Sequence, residues 1–199
     1  MKIVKSIILV MSILIAFNCT HTRVVSFTDP NAMNKLYHKI GVISNVEKLS
    51  DRLIIENKIV ETLNDEGVST ISSLSVFPPT RDFTIDQENE ILIKNGIDAI
   101  LVIQITDAGF SISSEPIRVQ TGSSNTTISG GGTARKAYGQ LKISLVDIVT
   151  DQTMWVGDAD TRAFFDTINP DWDMTYLLKA SSKKIAKELV NTGLINLNK

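Results

Sequence analysis

Gly96-Ile97-Asp98-Ala99-Ile100-Leu101-Val102-Ile103-Gln104-Ile105 is a nearly continuous apolar run of strand length. A strand that reads this way is expected to be buried on both faces, as in a parallel sheet with helices on either side. The residues before it agree. Thr84-Ile85-Asp86-Gln87 is a capping-box pattern, in which the threonine and glutamine side chains bond each other's backbone N–H groups. It predicts a helix from there to Asn95-Gly96.

Working backwards, Val68 to Val76 reads as a second strand, stopped by Phe77-Pro78-Pro79. Before it lies a helix with Leu53, Ile59, Val60 and Leu63 at helical spacing, with Ser50 and Asp51 offered as its N-cap. Gly67 suits the left-handed position just after its end. His38 to Ser44 is the first strand of the set. Strand–helix–strand–helix–strand order predicts right-handed crossovers and a parallel core.

Beyond the run the pattern changes. Lys136 to Asp147 alternates, with Leu141, Ile143 and Leu145 on one face and Gln140, Lys142 and Ser144 on the other. Thr150-Asp151-Gln152 is a turn, and Thr153 to Ala163 returns as an antiparallel partner. Asn169-Pro170 starts a last helix, since proline at the first helical position loses no hydrogen bond. Met174, Leu178, Ile185 and Leu189 fall on one face of it. The expected fold is α/β: a mixed sheet, parallel β-α-β-α-β followed by an antiparallel hairpin and a C-terminal helix.

The amino terminus carries a different message. Lys2 and Lys5 precede Ile7–Phe17, eleven residues of which only Ser12 is polar, and Asn18-Cys19 follows. A spanning helix needs roughly 20 apolar residues, whereas a signal-peptide core needs about 7–15. Residues 1–19 resemble the signal of bacterial lipoproteins, with Ile15, Ala16, Phe17 and Asn18 standing before Cys19. Phe17 and Asn18 depart from the strict small-residue pattern, and that relaxed form resembles spirochaete lipoproteins. The resemblance implies cleavage before Cys19 and acylation of its thiol. Plain secretion, or an uncleaved anchor with an ordinary thiol at Cys19, are the alternatives.

On that reading residues 1–18 are the signal, 19–35 the lipidated cysteine and a tether, and 36–199 one α/β domain. Val24-Val25-Ser26-Phe27 offers a competing reading of the tether, as a strand on a sheet edge. Cys19 is the only cysteine in 199 residues, so nothing in the chain can mispair in an oxidising compartment. Without residues 1–18, 18 basic residues face 22 acidic ones, a net charge of −4. That balance argues against nucleic acid as a partner, because nucleic acid selects a concentrated basic patch.

Motifs for chemistry are few. Phe110 to Arg135 is rich in Ser, Thr and Gly, and is either a long hairpin loop or two strands that outrun the sheet. Phe110, Arg118, Gly130, Gly131, Gly132 and Arg135 are its candidate partner-contact residues. Gly130–Gly132 leads to Thr133-Ala134-Arg135 and a strand, which is the wrong context for a phosphate or dinucleotide loop. His21 and His38 have no metal-ligand spacing around them. Asp158, Asp160, Asp166, Asp171 and Asp173 could gather a cation, but a solvated strand face and a helix start explain them as well. Trp155 and Trp172 read as packing. No metal, cofactor or enzymatic activity is expected.

Gly67-Val68 with Pro78-Pro79, Gly96-Ile97-Asp98-Ala99-Ile100-Leu101-Val102, and Asp147-Ile148-Val149-Thr150 with Trp155-Val156-Gly157 together resemble a group of small envelope lipoproteins. The domain is similar to the amino-terminal domain of the Tol translocation protein, to the curli-secretion lipoprotein group, and to lipoprotein activators of penicillin-binding proteins. That resemblance implies non-catalytic docking or assembly with another envelope protein, held to the membrane, most simply the outer membrane, by lipid. A small-ligand or cation-binding domain, using Thr106-Asp107 and the 110–135 segment, is the alternative.

Overall fold

The computed structural model describes residues 20–114, 117–121, 124–128, 133–165 and 174–197. Among these residues eight strands and four α-helices follow one another, with one 3-10 turn at Pro30–Ala32: β1 (Thr20–Thr28), β2 (Ile40–Ser44), α1 (Leu49–Asp65), β3 (Thr70–Ser72), α2 (Ser73–Val76), α3 (Ile85–Lys94), β4 (Ala99–Ser114), β5 (Ile117–Thr121), β6 (Ser124–Ile128), β7 (Thr133–Asp147), β8 (Gln152–Phe165) and α4 (Met174–Asn191). Six of the strands form one mixed sheet in the order β1-β8-β7-β4-β2-β3, and β5 pairs with β6 separately. β2 runs parallel to both β3 and β4, while the pairs β4–β7, β7–β8 and β8–β1 are antiparallel. The parallel core followed by a hairpin and a last helix is as the element order predicts.

One face of the sheet carries the main core. Val42, Leu101, Ile103, Ile143, Leu145 and Trp155 are buried there under Ile59 and Leu63 of α1 and Leu178, Ile185 and Leu189 of α4. Helix α4 packs on α1, β1 and β8. Right-handed crossovers send α1 and α3 to opposite faces, because β3 lies to one side of β2 and β4 to the other.

Helix α3 covers only the start of the second face. Ala99, Leu101 and Ile103 are buried on the core side and Ile105 packs half-buried there, whereas on the second face Ile100 and Val102 are half-buried and Gln104 is exposed. The expectation of burial on both faces is therefore corrected. A ten-residue helix is too short to roof a strand that runs on to Ser114.

Three other boundaries differ from expectation. Residues 20–28, read first as tether, form an edge strand paired to β8 from Thr20↔Ala163 to Thr28↔Trp155. Its β-branched residues alternate, and Val24 packs against the core while Val25 and Phe27 are 57% and 64% exposed. Helix α1 begins earlier than expected, with Lys48 rather than Ser50 or Asp51 at the N-cap and Asp51 in its first turn. The predicted strand over 68–76 ends at Ser72, because the Ser72 side chain accepts a bond from the Leu74 N–H and turns the chain into α2.

Gly67 takes φ +87°, the left-handed end predicted for α1, and Gly96 takes φ +66° just past the end of α3. The Thr84–Gln87 capping box is present in full. The start of the last helix at Asn169-Pro170 lies outside the described residues.

The β7–β8 turn is held by Asp147. One carboxylate oxygen accepts from the Val149 and Thr150 N–H groups and the Thr150 hydroxyl at 2.8–3.0 Å, and the other from Lys35 Nζ at 2.9 Å and Tyr37 OH at 3.0 Å. Burial alone would push this carboxyl up; Lys35, Thr150 and Tyr37 outweigh it and hold it at about 2. Burial, and then the Asp147 carboxylate beside it, push the Tyr37 phenol up. A folded-state value below the unfolded one adds stability that is complete above about pH 4 and is lost as pH falls towards 2. Asp147→Asn is expected to lower stability by about 2 kcal/mol at neutral pH. Denaturant titrations of both proteins should converge as the pH is lowered through that window; a constant gap would contradict this role.

Candidate functional site

Glu56 is the most deeply placed charge among the described residues, at 0% exposure on α1. Leu53 and Ile54 beside it are exposed, so the buried stripe runs Ile55, Glu56, Ile59, Leu63. The carboxylate reaches the point where β2 and β3 end. It accepts from the Ser44 N–H at 3.0 Å, the Ser72 hydroxyl at 2.6 Å, the Ser73 hydroxyl at 2.9 and 3.0 Å, and Arg52 Nε at 2.8 Å. Arg52 Nη2 in turn donates to Ser73 Oγ at 2.8 Å. Burial alone would push Glu56 up; Arg52, Ser72, the Ser44 N–H and Ser73 outweigh it and hold it below the usual carboxylate range. Ser44 Oγ is buried beside this network without a partner.

Arg52 and Ser73 also line an open cleft of about 470 Å3. Its floor is Ile43 and Ile100 on the second face of the sheet, and its walls are the Phe77-Pro78-Pro79 turn, Phe83 and Leu92 of α3. Phe77 and Phe83 meet edge to face, with ring centres 5.5 Å apart. Gly41 matters here. A Cβ at that position would come within 2.8 Å of Ile100 Cδ1, so glycine lets Ile100 lie flat on the floor. The cleft thus sits at the carboxyl ends of β2 and β3, where successive crossovers leave to opposite faces.

The sequence-predicted residues lie elsewhere. Phe110 falls in β4, Arg118 in β5 and Arg135 in β7. Of the two readings of 110–135, strands that outrun the sheet match: β4 and β7 stay paired out to Ser114↔Thr133. Cys19 and Gly130–Gly132 lie outside the described residues, as do Asp166, Asp171, Asp173 and Trp172.

Asp158 is exposed on β8, and Asp160 pairs with Arg162 at 2.8 Å. Among the described residues no three possible metal ligands come together. His21 is exposed on β1, and His38 Nδ1 lies 3.1 Å from Asn196 Nδ2. Trp155 is core, as read. Thr106 occupies a bulge in β4 beside Asp107, both exposed and away from the cleft.

Sequence reading missed Glu56 and Arg52. The available signal was position: helical spacing puts residue 56 in the stripe of Ile55, Ile59 and Leu63, and a carboxylate there needs internal partners.

No protein-family model matches this sequence, and no curated protein sequence matches it. Similar solved structures include PelC from Paraburkholderia phytofirmans, solved as a dodecamer, at 11% identity over 88% of this chain and 99% of that one, with a TM-score of 0.49. Lipoprotein GNA1162 from Neisseria meningitidis is 16% identical over 77% of this chain and 99% of that one, at TM-score 0.43. A minor lipoprotein from Acinetobacter baumannii is 9% identical over 77% and 89%, at TM-score 0.33. Lipoproteins are thus among the structures similar to this chain. No helix among the described residues is long and apolar enough to cross a membrane.

Proposed function

We propose that this protein is an envelope lipoprotein, anchored by lipid at Cys19, most simply in the outer membrane, whose α/β domain docks with other envelope components and performs no chemistry. The carrying observation is the order of residues 1–19: two lysines, an apolar run too short to span, and a single cysteine at its end. Strand β1 begins at Thr20, the next residue. A lipid on Cys19 would therefore hold the sheet at the membrane with almost no slack.

The register adds orientation. Thr20 lies opposite Ala163, which lies opposite Ala137, which lies opposite Phe110. The continuation of β4 and β7 past that row leaves the sheet at the anchored end, which favours Phe110, Arg118 and Arg135 as contacts for a membrane-held partner.

Fractionation of cells tests the anchor. Wild type is expected to sediment with membranes and to need detergent for release, while Cys19→Ser appears in the soluble fraction. A photo-crosslinking residue at position 118 tests docking: one discrete adduct is expected. The absence of any adduct from positions 110, 118 and 135 would contradict it.

A further inference from the structure

We propose that the cleft over Ile43 and Ile100 binds an apolar carboxylate, a hydrophobic group carrying one –COO⁻. It lies outside the carboxyl ends of parallel strands β2 and β3, at a change in crossover direction, where open α/β sheets place their ligands. Its volume, about 470 Å3, is that of a small-ligand site. The floor and the Phe77 and Phe83 rings supply an apolar seat.

Arg52 supplies the polar end. A guanidinium has five N–H donors in a fixed fork. Nε is engaged by Glu56 and one Nη2 donor by Ser73, while the side chain stays 27% exposed along the cleft. The remaining donors match the two oxygens of a carboxylate. Because the buried Glu56 already fixes the side chain, little ordering is left to occur on binding.

Arg81 stands at the mouth with no side-chain partner among the described residues. Asp82 and Glu88 line the same cleft. With Glu56 behind Arg52, those acids make the site a poor host for a polyanion and suit a single carboxylate.

The shared chemistry has two sources, a free amphipathic acid or the carboxyl end of a polypeptide. Calorimetric titration of the full-length protein in detergent, with micelles alone as blank, separates them using 4-phenylbutyrate and acetyl-Ala-Ala-Phe, each beside its carboxamide. Both acids are expected to bind, with the carboxamides weaker by about tenfold. The tighter of the two acids names the source.

Ile43→Trp fills the floor and should abolish the heat. Arg81→Gln, at an exposed position where folding is not at stake, should weaken binding several-fold. No heat from either acid with folded protein would overturn the proposal. So would carboxamides that bind as well as acids, or affinity unchanged in both variants.

Discussion

Glu56→Ala is expected to lower the melting temperature by roughly 10 °C, at about 2–4 °C per kcal/mol for a chain of this size. The change strands four donors at once: Arg52 Nε, the Ser72 and Ser73 hydroxyls, and the Ser44 N–H. Removing one partner of a buried ion pair costs about 3–5 kcal/mol, because the other charge stays behind. Here the loss also frees the junction of β3 and α2, which this carboxylate ties to α1 and to the end of β2. Glu56→Gln should cost less, since the amide oxygen still accepts from some of these donors. Calorimetric melting of the three proteins checks the order. A Glu56→Ala protein that melted like wild type would remove the network from the account of the fold.

Trp155→Ala is expected to have a comparable effect, about 3–5 kcal/mol. The indole is 1% exposed and is among the largest fully buried side chains. It lies across Gly157, where a Cβ would meet Trp155 Cη2 at 2.5 Å, so the backbone of β8 is itself part of its seat. Alanine leaves a cavity in the main core between the sheet and its helices, which close packing does not let collapse fully. Trp155→Phe should be much milder, because Trp155 Nε1 has no hydrogen-bond partner to lose. Chemical denaturation reads both, and equal costs for the two variants would show that cavity volume is not the cause.

The fold was legible where local chemistry and long-range packing agreed. The capping box at Thr84, the glycines at 67 and 96, and the apolar run into β4 each specify their element by themselves. Boundaries failed where a distant group decided them. β3 stops at Ser72 because Glu56, 16 residues earlier, collects the hydroxyls of Ser72 and Ser73. Thr20–Thr28 is a strand because β8 is there to pair with it; locally only Val24-Val25-Ser26-Phe27 hinted at an edge strand, and the flanking Thr, His and Arg residues suit a linker equally.

The cleft was the least legible part. Ile43, Arg52, Ser73, Phe83 and Ile100 come from five separate segments, and none carries a motif. Only the crossover geometry brings them together.

Two features meet at one end of the molecule. The anchor candidate Cys19 stands one residue before β1, and the long strands β4 and β7 run past that end of the sheet. If Cys19 is acylated, the domain stands directly on the membrane with its strand extension beside the lipid.

Intact mass of the protein extracted from membranes tests this most directly. The expected species lacks residues 1–18 and carries the added mass of acyl chains at Cys19. A species that retains residues 1–18, or that begins at another residue with no added mass, would contradict it.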